Sequence, residues 1–173
     1  MVGNKNRLYI GLYPSGVVNN EERKYHWGFL IGPKTEMQPE VPGMRYHVKN
    51  NPFQGWVYEE ISLRNVKTTA SLLARIMIAK VEDEKRLIEI FRATPVVQND
   101  PNWRCRTWVA DALTRIAQDG HAVGTAELDW VKIEAFAREY VAKKASSGRY
   151  GYGTDMSQPK PTWDMIEGRE AVP

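Results

Sequence analysis

The chain has 173 residues, of which 42% are hydrophobic and 26% charged, with six Trp and eight Tyr. That length suits one domain around one core, and the aromatic content excludes a disordered chain. The formal charge is +3, and Lys and Arg are interspersed with Asp and Glu, as over residues 82–86; with no basic stripe, nucleic acid is set aside as a partner.

A single cysteine, Cys105, rules out an intramolecular disulfide. No apolar stretch is long enough to span a bilayer. Residues 1–7 hold no apolar core of signal-peptide length. The sequence therefore predicts a soluble, cytoplasmic protein without a membrane span.

The first strand is read over Leu8–Tyr13, where Leu8, Ile10 and Leu12 alternate with Tyr9, Gly11 and Tyr13. Pro14-Ser15-Gly16 ends it. Tyr25–Ile31 is a second strand, with Tyr25, Trp27, Phe29 and Ile31 on one face and His26, Gly28 and Leu30 on the other. Residues 34–43 read as a loop. Met44–Lys49 is a third strand, presenting Arg45, His47 and Lys49 together, and Trp56–Leu63 is a fourth. Over Leu72–Val81 helix and strand patterns compete, and the Ile/Val content decides for a strand over Arg75–Val81.

Asp83 caps a helix running to about Ala93, with Leu87, Ile88 and Phe91 inward and Pro95 just past its end. A second helix is expected over Trp103–Gln118, with Gly120 in the position that ends helices. A third opens at Thr125 or Glu127 and runs to about Lys144. Residues 1–150 thus read as a single domain. Residues 151–173, with Gly151, Gly153, Pro159, Pro161 and Gly168 and no periodic pattern, read as an irregular or partly disordered tail.

Cys105 falls in the first turn of its helix. Unpaired N–H groups and a partial positive charge there favour a thiolate, the form that acts as nucleophile. On the same residues, Cys105 shares a face with Val109, Ala112, Leu113 and Ile116, and a small buried hydrophobe is an equally physical reading. His26 sits beside Gly28, which lets another group approach the imidazole closely. His47 lies on the following strand. If the two strands are antiparallel neighbours, same-face side chains touch; each His alone also fits a half-buried structural role. His121 follows Gly120 in a turn and reads as a surface residue. One Cys and three His at no ligand spacing argue against zinc, no G-x-S-x-G elbow is present, and GRYGYG at residues 148–153 lacks the strand and the Lys-Ser/Thr of a phosphate loop. No metal or cofactor is expected.

Taken together, a strand with His26-Trp27-Gly28, a later strand with Tyr46-His47-Val48 and a helix opening on Cys105 resemble the circularly permuted papain-like fold of the NlpC/P60 superfamily, in its lecithin retinol acyltransferase-like branch. The chain as a whole is also similar to an uncharacterised family of small fungal proteins, on LYIGLYPSG, YHWGFLIGP, RYHVKN, LLARIMIAKV, RCRTWVADAL and LDWV. The first resemblance implies an α+β fold, an antiparallel sheet packed with helices. It implies a cysteine hydrolase or acyltransferase working through a thioester on a small-molecule or peptide acyl substrate. Cys105 would be the nucleophile, His26 the base and His47 the residue that orients it, with Tyr13, Trp27 and Gly28 at the oxyanion and substrate. The sequence departs from that branch at Arg104-Cys105-Arg106-Thr107, where the branch carries Asn-Cys-Glu-His, and it has no hydrophobic C-terminal anchor. An inactive binding module on the same fold is the alternative.

Overall fold

The computed structural model describes residues 5–173; the part of the leader reading that concerns Met1–Asn4 lies outside them. The described residues form eight strands and three helices. β1 is Arg7–Pro14, β2 Tyr25–Gly32, β3 Gly43–Asn51, β4 Gly55–Leu63 and β5 Ala74–Val81. Then come α1 (Glu84–Ala93), α2 (Cys105–Asp119), β6 (Val123–Ala126), α3 (Trp130–Ser146), β7 (Thr162–Asp164) and β8 (Arg169–Val172). The fold is α+β. Its open sheet runs in the order β4-β3-β2-β1-β5-β7-β8, with β6 also paired to β5. Every described pairing is antiparallel except the parallel contact of β5 with β7.

Strand alternation sorts the side chains onto two faces. Leu8, Ile10, Leu12, Trp27, Phe29, Ile76 and Ile78 pack with Leu87, Phe91, Trp108, Val109, Leu113 and Ile133 of the helices. The opposite face carries a smaller cluster of Tyr9, Tyr13, Leu30, Val41, Leu63, Val66 and Leu72, so the loops before β3 and after β4 cover part of it. A buried ion pair pins the first of those loops. Arg75 of β5 donates to both oxygens of Glu36, at 2.7 and 2.8 Å, and to the Thr162 hydroxyl at 3.0 Å.

The helix ends follow side-chain chemistry. Asp83 accepts from the Arg86 N–H and caps α1, and Asp129 accepts from the Val131 and Lys132 N–H groups and caps α3. α2 stops at Gly120, in the left-handed conformation at φ 73°. Its first residue is Cys105, two positions later than the sequence reading, because Arg104 is extended and its N–H is bonded to the Thr107 hydroxyl at 3.2 Å. Of the two starts expected for the last helix, Thr125 lies in β6 (Val123–Ala126) and Glu127 precedes the first turn, since α3 opens at Trp130 behind its Asp129 cap.

The segment expected as an irregular tail contributes β7 and β8 to the sheet. Lys160, Thr162 and Asp164 of this segment are buried with backbone partners near and far along the chain. Lys160 Nζ donates to the Leu72 carbonyl at 3.0 Å, and Asp164 Oδ1 accepts from the Ile166 and Glu167 N–H groups.

One irregularity positions everything that follows. β3 and β4 pair over their whole length, but β2 and β3 pair only at Phe29–Ile31 with Tyr46–Met44. Toward the start of β2 no register pairs join the two strands, which leaves a gap in the ladder.

Candidate active site

The gap opens into a cleft of about 770 Å³, and Tyr13, His26, Arg45, His47, Glu59 and Cys105 all line it. The three residues that the sequence reading joined, Cys105, His26 and His47, are therefore brought together from α2, β2 and β3. Trp56 and Trp103 meet edge to face at 5.5 Å and form an aromatic wall of the same cleft.

Sheet register explains how the thiol is approached. Leu73 donates its N–H to the Leu12 carbonyl at 2.8 Å, so the Leu12 backbone is turned toward β5. Leu12 is the cross-strand partner of Trp27, and a pair that does not bond across one edge bonds outward. The Trp27 N–H thus faces the gap, and it and the Arg106 N–H act to lower the pKa of the Cys105 thiol. The Trp27 side chain goes elsewhere. It is fully buried on the helix-covered face, 5.0 Å from Trp130 and under the Arg138 guanidinium. The sequence reading set Trp27 at the oxyanion and substrate; alternation places His26 in the cleft and the Trp27 ring behind the sheet, which leaves only the Trp27 backbone on the side of the cleft.

Gly28 acts by having no side chain. A Cβ there would stand 3.0 Å from the His47 Cβ, so glycine lets β3 bring His47 in against His26. His26 Nε2 and His47 Nδ1 are 2.8 Å apart, and His47 Nε2 is 2.9 Å from Glu59 Oε1. Glu59 is the direct cross-strand partner of His47. The sequence reading missed it, although its place on the strand after His47 is the signal that could have found it.

This chain of contacts fixes the tautomers. A carboxylate only accepts, so His47 Nε2 carries the hydrogen and donates to Glu59. Neutral His47 then presents a bare Nδ1, which accepts from Nε2–H of His26. Neutral His26 is left with its lone pair on Nδ1, the nitrogen able to take a proton. Glu59 therefore sets the tautomer of His26 through His47.

The resting site is uncharged at the reacting groups. Burial, followed by the His47, Arg45 and Lys49 charges, presses His26 down to about 3. Burial also lowers His47, against the pull of its bond to Glu59. The helix start was expected to lower the thiol. Instead burial pushes Cys105 up, because only 6% of it is exposed, and the Trp27 and Arg106 N–H groups and the Arg104 and Arg106 charges oppose this without reversing it. The thiol and both imidazoles of the cleft are therefore held toward their neutral forms.

Tyr13 pairs with His26 across the strands. Its hydroxyl is buried without a hydrogen-bond partner, and burial raises its pKa. It is a donor lining the cleft. His121 is exposed, as the sequence suggested. Among the described residues no three His, Cys, Asp or Glu side chains are grouped to hold a metal ion, and no helix is long and apolar enough to cross a membrane.

No curated protein and no solved structure matches the chain significantly. A family model does: the chain belongs to the family described as "Family of unknown function (DUF6914)", matched over residues 5–172. The matched span takes in β7 and β8 together with all of the cleft.

Proposed function

We propose that the chain is a cysteine-dependent hydrolase or acyl-transfer enzyme on a permuted papain-like fold, acting on a small-molecule or peptide acyl substrate. The observation that carries the reading is the ordered line Glu59–His47–His26, whose last member keeps its lone pair on Nδ1 and lines the same cleft as Cys105.

In the proposed reaction the Cys105 proton passes to His26 Nδ1 as Sγ bonds to the acyl carbon. The carbonyl π pair moves onto oxygen. The Cys105 N–H, free of an intrahelical partner in the first turn, and the Tyr13 hydroxyl stabilise that oxyanion. When the tetrahedral adduct collapses, the bond to the leaving group breaks, and the leaving group takes the proton from His26. A thioester remains. His26 then removes a proton from water, or from an amine or hydroxyl acceptor, which attacks the thioester and returns the thiol. Glu59 and His47 hold the tautomer throughout and stabilise the imidazolium while it exists.

A binding module without catalysis is the second reading, favoured by the burial of the thiol and its raised pKa. Incubation with p-nitrophenyl acetate and peptide mass mapping separates the two. The enzyme reading expects an acetyl adduct on Cys105 that forms and turns over in the parent and is lost in Cys105→Ser and His26→Ala. Acetylation confined to surface lysines would support the binding module.

A further inference from the structure

Most cations of the cleft are already engaged. Arg104 and Arg106 each donate to Glu22 at 3.2 Å, and Arg23 reaches the Pro101 carbonyl. Arg45 differs. Among the described residues its guanidinium has no carboxylate partner; it is half-buried against Tyr13, and its Nε is buried without a partner, as are Nε and Nη1 of Arg104 and Nε of Arg106. It extends from β3 across β2 to lie 5.3 Å from the Tyr13 ring centroid on β1. Gly28 and Gly11 face each other between those strands, so no side chain of that row stands in its way. The ring contact holds the guanidinium but leaves its charge without a carboxylate. A half-buried guanidinium with no counter-charge beside a cleft is a place for an acceptor from outside.

We propose that Arg45 binds a carboxylate on the substrate, so that the cleft selects monoanionic acyl compounds over neutral ones. This rests on the cysteine-site reading and adds its substrate class. A carboxylate is the group that fits one planar guanidinium, since its two oxygens match the fork. It also has a consequence for the base. The Arg45 charge is among the causes that depress both imidazoles. A bound carboxylate offsets that charge and returns basicity to His26 when substrate is seated.

The test uses two alkylating probes of nearly the same size, iodoacetate and iodoacetamide, followed by intact mass. With each, the Cys105 sulfur bonds to the methylene carbon and iodide departs. The iodoacetate-to-iodoacetamide rate ratio is expected to fall at least fivefold in Arg45→Gln and to be largely kept in Arg45→Lys. Because a ratio is read, any general change in thiol reactivity cancels. An unchanged ratio in Arg45→Gln overturns the inference.

A second measurement does not depend on the thiol. Glutarate is titrated while the imidazole resonances of His26 and His47 are followed. Saturable shifts with glutarate, absent with glutaramide and absent in Arg45→Gln, support the carboxylate site even where Cys105 proves inert. Equal responses to glutarate and glutaramide refute the site even where Cys105 proves reactive.

Discussion

Replacing Glu59 by Gln keeps the shape of the relay and removes its charge. In the parent, the bond from His47 Nε2 to the carboxylate is 2.9 Å long. A hydrogen bond to a charged group contributes about 1.5–3 kcal/mol and a neutral one about 0.5–1.5. The Glu59 side chain is 36% exposed, so solvent screens it, and the loss lies near the low end of the difference, about 1 kcal/mol. That corresponds to a roughly fivefold slower proton transfer from Cys105. A second effect adds to it. The Gln amide donates as readily as it accepts, so His47 is no longer held with its hydrogen on Nε2, and His26 loses its fixed Nδ1 lone pair in part of the population. Iodoacetamide alkylation of Cys105 at pH 7 reads the rate, and nitrogen-15 imidazole spectra read the tautomer. A rate within twofold of the parent, with His26 and His47 still protonated on Nε2, would refute the idea that Glu59 orients the base.

Two other perturbations probe the same construction. Gly28→Ala sets a methyl 3.0 Å from the His47 Cβ, so β3 must shift; we expect a stability loss of about 1–3 kcal/mol in urea denaturation and slower alkylation of Cys105, whereas a fully stable variant would show that β3 can move away freely. Acid should destabilise the fold through the buried imidazoles. His26 titrates near 6.5 unfolded and about 3 folded, so between those values the unfolded chain binds more protons. Its contribution is whole above pH 6.5 and is lost as pH falls toward 3, with His47 acting in the same direction. The urea midpoint should therefore drop from pH 7 to pH 5, less so in His26→Gln; an equal drop in both would place the titration elsewhere.

The first five strands were readable because each is long enough to alternate, and most are bounded by Gly, Pro or Asn. β6, β7 and β8 were not, being four, three and four residues long, too short for a period to show. Their burial is decided by partners far along the chain, as when Lys160 bonds to the Leu72 carbonyl. At the site, His26, His47 and Cys105 were legible as chemistry-bearing types on adjacent elements. Trp27 was misplaced because its neighbour's role was extended to it, although alternation sends its ring to the other face. Glu59 was hidden in Glu59-Glu60, where only register separates the relay carboxylate from the one that Arg92 binds. The thiol's raised pKa was hidden too, since a helix start is visible in sequence and the burial that outweighs it is not.

The rate of Cys105 alkylation against pH, in the parent and in His26→Ala, tests the central claim most directly. If His26 takes the thiol proton, the share of thiolate–imidazolium pairs is independent of pH between the two pKa values. The parent should then show a flat limb between about pH 5 and 8, at least about tenfold above the variant, whose rate climbs with pH throughout. A parent rate that climbs the same way, and is unchanged in His26→Ala, would contradict the account and leave Cys105 a buried thiol beside a binding cleft.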